Sequence, residues 1–283
     1  MSKRVLITGA SSGIGLSCLK RFHENGYIVA VTVRKDDDEK RLMQDYPGIT
    51  IINVDLRDEA ALQQKIEHYL RTNNGVDIIV NNAGFACIGA VEELSMAQWR
   101  QQMDTNFFAV VNICRLALPY MRQQRQGRII QISSGIGQSV MPIFSPYATS
   151  KHALEAFSES LRYEVKPFGI DVSMIAPGPV RSSFDSNREI PTSANVSASP
   201  YQQTIEFAQA KTADVHSRES SPDAVVDKVI LAATASRPKL RYSVGILGFA
   251  ATLYKFIPKT ILDRVLVTND NKSDHNEKMN TTR

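Results

Sequence analysis

The sequence has few of the features that mark secreted, metal-binding or membrane-spanning proteins. Its 283 residues contain only three cysteines, Cys18, Cys87 and Cys114, which lie far apart. This spacing argues against a disulfide framework or a zinc site and suits reduced thiols inside a cell. No long apolar run precedes the first strand-like segment, and the most apolar stretch, Val244–Tyr254, is too short for a conventional membrane span. The prediction is a cytoplasmic protein without a signal peptide.

Strong charge and breaks in composition are also missing. The formal net charge of +4 is too small to indicate nucleic-acid binding. The histidines are isolated, and His152 lies beside Lys151 and so faces another side of its helix. Neither histidine catalysis nor a metal site is therefore predicted. There is no internal repeat, and no segment rich in Pro, Gly or Ser divides the chain before Ile175.

Short β-branched runs alternate with segments whose apolar residues recur at helical spacing. The strand-like runs are Val5–Thr8, Ile28–Val33, Ile49–Val54, Ile78–Asn81, Arg128–Ser133 and Ile170–Ile175. The helix-like segments include Leu16–Gly26, Ala60–Arg71, Trp99–Gln123 and Tyr147–Lys166. Strands that are apolar along their whole length need cover on both faces. The predicted fold is therefore α/β, a single doubly wound parallel-sheet Rossmann domain with a C-terminal substrate lid.

The remainder of the chain predicts accessory segments. The Rossmann-type domain is expected over residues 1–245, and its polar, turn-rich part at about 181–220 is too long for an ordinary loop and indicates a lid. A helix is expected near Ser221–Ser236. Residues 246–267 predict an apolar helical extension, and residues 268–283 have the composition of a disordered tail.

A glycine-rich turn, TGASSGIG at residues 8–15, directly follows the first strand. Glycines allow a sharp turn and a close approach of the backbone to a pyrophosphate. The next helix then points its free N–H groups at that negative charge. Many strand–helix turns use glycine for geometry alone. The strand before this turn and the helix after it favour dinucleotide binding.

Five segments, in strict order, resemble the short-chain dehydrogenase/reductase family. They are the TGxxxGxG turn, Asn81-Asn82-Ala83-Gly84, Asn106, Ser134 with Tyr147-x-x-x-Lys151, and Pro177-Gly178. The resemblance covers residues 3–182 closely and extends loosely to about residue 245. It implies a nicotinamide-dependent oxidoreductase that interconverts an alcohol and a carbonyl compound by hydride transfer. The region from Leu240 to Pro258 is similar to 17β-hydroxysteroid and retinol dehydrogenase-like members, which implies a lipophilic ligand.

Tyr147 and Lys151 have the spacing that proton transfer requires. Residues four apart lie on one face of a helix, and a tyrosine needs a nearby positive charge to bring its pKa towards the working pH. The resemblance implies that Tyr147 is the general acid/base, and that Lys151 lowers its pKa and binds the nicotinamide ribose. Ser134 would bind the substrate oxygen together with Tyr147, and Asn106 would hold a water near Lys151. Strand alternation would send Ser133, the neighbouring candidate, to the other face.

Arg34 carries the cofactor prediction. The second strand ends on Val33, where an NAD-selective fold would place an acidic residue against the ribose hydroxyls. The guanidinium of Arg34 can instead clamp a 2′-phosphate. Alternatively, Arg34 pairs with the acids of 36–39 and merely begins a charged helix. Many NADP-preferring relatives carry a basic residue where this chain has Ser12. The prediction is NADP(H).

The resemblance implies further cofactor contacts. Asp55 would accept a hydrogen bond from the adenine amino group, with Leu56 beside the ring, although Asp55 could also be an ordinary helix cap. The predicted cofactor-binding residues are Gly9, Ser11, Ser12, Gly13, Ile14, Gly15, Arg34, Asp55, Leu56, Asn82, Ala83, Gly84, Tyr147, Lys151, Pro177, Gly178, Val180 and Ser182.

The predicted substrate is a hydrophobic alcohol, aldehyde or ketone. The segments that flank the site are apolar and lack a cluster of Arg or Lys for an acidic substrate. Their apolar residues are Val140, Met141, Pro142, Ile143, Phe144, Phe184, Ile190, Tyr201 and Phe207. These apolar residues could equally well be part of the packed core and not line a substrate pocket.

Two questions stay open on the sequence alone. The apolar stretch Val244–Leu266 fits a lid, a dimer contact or a surface that rests on a membrane. The rival functions are a regulator that binds NADP(H) with little turnover and a membrane-docking protein. The presence of both Tyr147 and Lys151 disfavours the regulator. The family resemblance predicts a homodimer or homotetramer through Trp99–Gln123 and Tyr147–Lys166.

Overall fold

One parallel sheet organises the protein. The computed structural model describes residues 2–181, 199–216 and 219–267. In this part of the chain seven strands pair in the order β3-β2-β1-β4-β5-β6-β7, and every neighbouring pair is parallel. The strands are β1 (Arg4–Ile7), β2 (Ile28–Val33), β3 (Thr50–Asn53), β4 (Ile78–Asn81), β5 (Gly127–Ile132), β6 (Ile170–Pro177) and β7 (Arg241–Val244).

Helices connect the strands and cover both faces of the sheet. They are α1 (Gly13–Glu24), α2 (Asp36–Asp45), α3 (Glu59–Thr72), α4 (Met96–Met103), α5 (Ala109–Gln124), α6 (Ser145–Val165), α7 (Gln202–His216), α8 (Pro222–Thr234), α9 (Gly245–Leu253) and α10 (Lys259–Leu266). A π-helical turn, Asp104–Phe108, joins α4 to α5. None of the helices in the described ranges is long and apolar enough to cross a membrane.

Two apolar clusters form the core, one on each face of the sheet. Val5 packs on one side with Phe22 of α1 and Val229 of α8. Its neighbour Leu6 packs on the other side with Ile66 of α3 and with residues of α5 and α6. Burying each large aliphatic side chain contributes roughly 1.5–3 kcal/mol. The central strands β1, β2 and β4 are mostly apolar because both of their faces are covered, and the parallel sheet with helices on both sides confirms the predicted doubly wound fold.

The strand order creates a crevice at the carboxyl end of the sheet. From the central β1 the chain moves outward through β2 and β3, then returns to β4 and continues in the opposite direction. Ligands bind at such a reversal in open α/β sheets. The predicted site segments follow the carboxyl ends of β1 to β6, so the topology brings them to one edge.

Three features differ from the sequence prediction. The single helix expected over Trp99–Gln123 is interrupted by the π turn, and neither α7 nor β7 was predicted. The proposed lid lies only partly within the described ranges. Ser182, Phe184, Ile190 and the segment 268–283 lie outside the described residues.

Candidate active site

The glycine-rich turn between β1 and α1 requires its glycines. Gly9 and Gly13 have φ values of +68° and +56°, a region that side chains with a Cβ rarely adopt. A Cβ on Gly15 would lie 2.2 Å from the Gly9 carbonyl oxygen. The helix begins at Gly13, and Ser12 makes no side-chain capping bond. The first N–H groups of α1 therefore remain available for an anion.

Contacts between the ends of β1 and β4 fix this turn. The Oγ1 atom of Thr8 accepts hydrogen bonds from the backbone N–H groups of Asn82 and Ala83, both at 3.0 Å. In return, Nδ2 of Asn82 donates to the carbonyls of Thr8 and Gly9 at 2.9 and 3.0 Å. Asn82 and Ala83 thus shape the turn from behind. Their predicted contact with a cofactor stays a prediction.

Tyr147 and Lys151 lie one turn apart in α6, and both are buried. The Lys151 Nζ donates to the carbonyl oxygen of Ile132, the last residue of β5, at 2.8 Å. The same nitrogen lies 5.9 Å from the centre of the Tyr147 ring. Burial lowers the pKa of Lys151 from 10.5 to about 8. The helix therefore brings the ammonium close to the tyrosine in surroundings that hold little water.

The two serines after β5 have different partners. Ser134 begins a short 3₁₀ turn, and its Oγ accepts from the Ile136 N–H at 3.3 Å. That contact leaves the Ser134 hydroxyl proton for donation. Ser133 is buried, and its hydroxyl donates to the Glu155 carboxylate. Of the two, Ser134 has the hydroxyl that suits a substrate oxygen.

Asn106 holds together three segments around the site. It lies in the π turn with 1% of its surface exposed. Its Oδ1 accepts from the Phe85 N–H at 3.1 Å, and its Nδ2 donates to the Phe85 carbonyl at 3.0 Å and to Ser150 Oγ at 3.1 Å. Gly84 is necessary here because a Cβ would lie 3.0 Å from Asn106 Oδ1. That Asn106 also holds a water near Lys151 stays a prediction.

At the outer end of the crevice Arg34 is exposed and follows β2 directly. The neighbouring acids bind elsewhere. Asp36 and Glu39 accept from the Asn53 side chain at 2.7 and 2.9 Å, and Asp38 pairs with Arg41 at 3.0 Å. None of the acids considered in the sequence is hydrogen-bonded to Arg34 within the described part of the chain, so they do not neutralise its guanidinium.

Arg41 is a second cation at this corner, and the sequence analysis missed it. Its Nη2 donates to the carbonyl oxygen of Ser11 in the glycine-rich turn at 2.7 Å. Thr32, two residues before Arg34, accepts hydrogen bonds from the turn, through Oγ1 from Gly9 N at 3.1 Å and through its carbonyl from Ala10 N at 3.2 Å. The end of β2 and the turn are thus neighbours. From the sequence alone, Arg41 is expected only to pair with Asp38, three residues earlier on the surface of the same helix.

Asp55 is paired with a nearby arginine. Its carboxylate lies 2.6 Å from Arg57 Nη2. The hydrogen bond from Arg57 is the main cause of a lowered pKa at Asp55, and the charge of Arg34 contributes less. Asp58 caps α3 by accepting from Ala61 N at 3.0 Å, so the alternative reading of Asp55 as that cap is wrong. The adenine contact of Asp55 and Leu56 stays a prediction.

The end of β6 closes the crevice on its other side. Gly178 N donates to the Val244 carbonyl of β7 at 3.0 Å, and Val180 forms an isolated parallel bridge with Ser220. These contacts place Pro177, Gly178 and Val180 beside the start of α9. Their predicted contact with a nicotinamide stays a prediction.

An apolar cluster encloses Tyr147. Its buried members from other segments are Ala86, Ile88, Ile143, Phe144 and Ala208, with Ile136, Met141 and Ile205 packed against them. Ala208 and Ile205 come from α7, which therefore covers the tyrosine. Ile143 has φ +61°, and its carbonyl accepts from Gly89 N at 2.8 Å. A β-branched residue in this conformation indicates local strain next to the site.

Only some of the predicted pocket residues belong to this cluster. Met141, Ile143 and Phe144 do, whereas Val140 is exposed. The Tyr201 hydroxyl is hydrogen-bonded to Glu92, which raises its pKa, and the Phe207 ring faces Lys211.

The described part of the chain contains no candidate metal-binding site. No group of three or more His, Cys, Asp or Glu side chains there could hold a metal ion. The three cysteines are buried and none of them forms a disulfide, and burial raises the pKa of Cys18 and Cys114 to about 12.

A parallel Rossmann-like sheet with a glycine-rich turn and a Tyr-x-x-x-Lys helix defines a class of nicotinamide-dependent oxidoreductases. A family profile described as short chain dehydrogenase matches residues 3–192. This protein belongs to the short-chain dehydrogenase/reductase family.

Three relatives are similar over most of their length. The uncharacterized oxidoreductase YbbO of Escherichia coli is 35% identical over 269 residues, 94% of each chain. The NADPH-dependent 3-dehydrocapnine reductase of Ornithobacterium rhinotracheale is 34% identical over 92% of this chain and 94% of the relative. The 3-ketodihydrosphingosine reductase of Bacteroides thetaiotaomicron is 39% identical over 66% of this chain and 67% of the relative. These matches do not confirm the predicted similarity to the 17β-hydroxysteroid and retinol dehydrogenase-like members of the family.

Solved structures share the fold. A short-chain dehydrogenase from Streptomyces avermitilis aligns with a TM-score of 0.81 at 25% identity and covers 100% of this chain and 99% of its own. A serine dehydrogenase complexed with NADP⁺ aligns with a TM-score of 0.71 at 25% identity and covers 84% and 92%.

Proposed function

We propose that this protein uses NADPH to reduce the carbonyl group of a hydrophobic, long-chain ketone to an alcohol. The observation that carries the proposal is the position of Tyr147 and Lys151. The Lys151 ammonium lies 5.9 Å from the centre of the Tyr147 ring and binds the carbonyl of Ile132, two residues before Ser134, and Tyr147 itself belongs to an apolar cluster.

The residues of the site supply a proton and fix the substrate oxygen. The Tyr147 hydroxyl donates its proton to the carbonyl oxygen as the carbon accepts a hydride, so the C=O bond becomes CH–OH. The Ser134 hydroxyl donates a hydrogen bond to the same oxygen and stabilises the charge that develops there. The Lys151 ammonium favours the tyrosinate that remains. NADPH, when bound, supplies the hydride.

The chain's residues fit a dinucleotide with a 2′-phosphate. The glycine turn at the start of α1 suits the pyrophosphate, because a Cβ at Gly15 would clash and the first N–H groups of the helix are free of intrahelical partners. Arg34 and Arg41 suit the 2′-phosphate, since Arg34 directly follows β2 and the Arg41 guanidinium binds the carbonyl of Ser11 in the turn. Arg41 takes the part that a basic residue at Ser12 plays in many relatives. The NADP⁺ complex of a structural neighbour and the NADPH dependence of a relative support this choice.

The substrate class follows from the surroundings of Tyr147 and from the relatives. The apolar side chains that pack around Tyr147 favour an alkyl chain in the substrate. Two relatives are named as reductases of 3-keto groups, in 3-ketodihydrosphingosine and 3-dehydrocapnine. These names support a ketone that carries a long alkyl chain.

The loss of NADPH absorbance with a panel of ketones and aldehydes of increasing chain length tests the proposal. The value of kcat/KM should rise with chain length, because each buried methylene contributes roughly 0.8 kcal/mol. A preference for short acidic substrates would contradict the substrate class. NADPH binding without oxidation by any member of the panel would favour the regulator.

A further inference from the structure

The C-terminal helices expose a row of large apolar side chains. We call this surface the C-terminal apolar face, and its members are Ile246, Phe249, Leu253, Phe256, Ile261 and Val265. Ile246 is 78% exposed and Phe256 is 73% exposed. Single exposed apolar residues are common, but six large ones within residues 246–265 indicate an interaction surface.

Within α9, helical geometry places three of these side chains on one side. Ile246, Phe249 and Leu253 recur at the three- and four-residue spacing that lines one face of α9. The opposite side is anchored: a Cβ on Gly248 would lie 2.7 Å from the Ala176 carbonyl and 3.1 Å from Gly178 N. α9 thus lies flat against the carboxyl end of β6. The apolar face is built on a packed helix next to the active site.

The charges beside this face are mainly positive. Residues 245–267 contain Lys255, Lys259 and Arg264 and a single acid, Asp263. Lys255 Nζ lies 5.2 Å from the centre of the Phe256 ring, and Lys259 Nζ lies 5.2 Å from that of Tyr254. Cations flanking exposed aromatic and aliphatic residues match a bilayer surface, where anionic headgroups lie above apolar acyl chains.

Other occupants fit this face less well. Beyond Val267 the sequence has Met279 as its one large apolar residue, so that segment offers little to cover the face. A second copy of the chain, meeting the first through the same face, would bring the basic side chains of both copies together. An anionic bilayer complements both the apolar side chains and the charge.

We propose that the C-terminal apolar face docks this protein onto the surface of a membrane that contains anionic lipids. The apolar side chains enter the boundary between headgroups and acyl chains, and Lys255, Lys259 and Arg264 contact lipid phosphates. Docking brings the carboxyl end of the sheet close to the bilayer. A substrate with a long alkyl chain would then reach the site from the membrane; only this last point rests on the proposed function.

Sedimentation with vesicles tests the docking. The full chain should sediment with vesicles of mixed phosphatidylcholine and phosphatidylglycerol, and much less with phosphatidylcholine alone. The double variant Phe249→Ser/Phe256→Ser should lower the bound fraction at least fivefold. Lys255→Glu/Lys259→Glu should remove the preference for anionic vesicles. Met43→Ser/Met96→Ser, which changes two exposed apolar residues elsewhere, is the matched control and should bind like the wild type.

Two results would overturn the proposal. The wild type could stay in the supernatant with anionic vesicles. Alternatively, the phenylalanine double variant could retain vesicle binding. If the wild type is also a dimer and this variant a monomer in size-exclusion chromatography, the face would be assigned to a second copy. Measuring the turnover of a soluble ketone in the absence of vesicles tests the proposed function independently of membrane docking. The phenylalanine variant should keep that turnover, and a protein that binds vesicles but reduces no ketone would contradict only the proposed function.

Discussion

At the scale of single residues, Lys151 combines a positive charge with nearly complete burial. Burial disfavours the ammonium and lowers its pKa from 10.5 to about 8, so the charge persists at neutral pH and is lost as the pH rises through about 8. If the ammonium supports Tyr147, kcat for NADPH-dependent reduction should fall across that range. Stopped-flow rates at saturating NADPH measure this fall in kcat. The range from pH 6 to pH 10 spans about two pH units on either side of the Lys151 pKa. A rate that stays constant throughout would contradict the role of Lys151.

We predict that Arg34 and Arg41 determine the preference for NADPH over NADH. Replacing either with alanine should raise the Kd of NADPH roughly 10–100-fold, because a hydrogen bond to a charged group is worth about 1.5–3 kcal/mol. The Kd of NADH should change little. Fluorescence titration with both cofactors measures the difference. Lys40→Ala, a neighbouring exposed cation, is the control, and equal losses for NADPH and NADH would exclude a 2′-phosphate contact.

The sequence predicted those site residues whose roles follow from local spacing. The four-residue interval between Tyr147 and Lys151 fixes them on one helix face, and the interval to Ser134 favoured this serine over Ser133. Arg41 could not be found this way. Its contact with Ser11 spans 30 residues and depends on how α2 lies against the glycine-rich turn.

At the scale of elements, a largely buried ion pair joins α6 to the sheet. Glu155 of α6 contacts Arg241 of β7 and also accepts the Ser133 hydroxyl. Glu155 lies one turn beyond Lys151, so this pair helps to set how α6 lies against β5 and β7. Burial lowers the pKa of Arg241 to about 10, which leaves it charged.

Removing one partner of this pair should destabilise the protein more than removing both. Glu155→Ala or Arg241→Ala should each lower the free energy of unfolding by up to about 3–5 kcal/mol, because the remaining charge loses its ionic partner at a largely buried position. The double variant Glu155→Leu/Arg241→Leu should recover part of this loss. Urea denaturation of the three variants measures it. Additive losses would show that the pair does not couple the two elements.

The π turn between α4 and α5 shows where helical periodicity is an incomplete guide. The apolar spacing of Trp99–Gln123 predicts one continuous helix. The Asn106 side chain instead binds the backbone of Phe85 and the Ser150 hydroxyl, and the helix widens by one residue at this point. These partners lie 21 and 44 residues away, so no local pattern reports them.

At the scale of the whole molecule, the predicted strands and the helices expected between them determined the fold class. All six predicted strands are present, and β2 and β4 have the predicted bounds. β7 and α7 were missed because both are polar along much of their length. α7 is held in position by Ile205 and Ala208, which pack onto the cluster around Tyr147. These are tertiary contacts, so the local sequence of α7 does not report them.

We propose that Tyr147 of α6 is the proton donor of the reaction. The substitution Tyr147→Phe removes only the hydroxyl and keeps the ring within its apolar cluster. A positioned general acid contributes roughly 10²–10⁴-fold to rate. The variant should therefore lose turnover by at least about a hundredfold while its Kd for NADPH stays within about threefold of the wild type.

Steady-state reduction of the best ketone, measured beside NADPH titrations, tests this claim most directly. Tyr163→Phe, an exposed tyrosine on the same helix, is the matched control and should keep wild-type activity. Lost turnover with intact NADPH binding is the predicted result. A Tyr147→Phe variant that reduces the ketone at the wild-type rate would contradict the assignment of Tyr147.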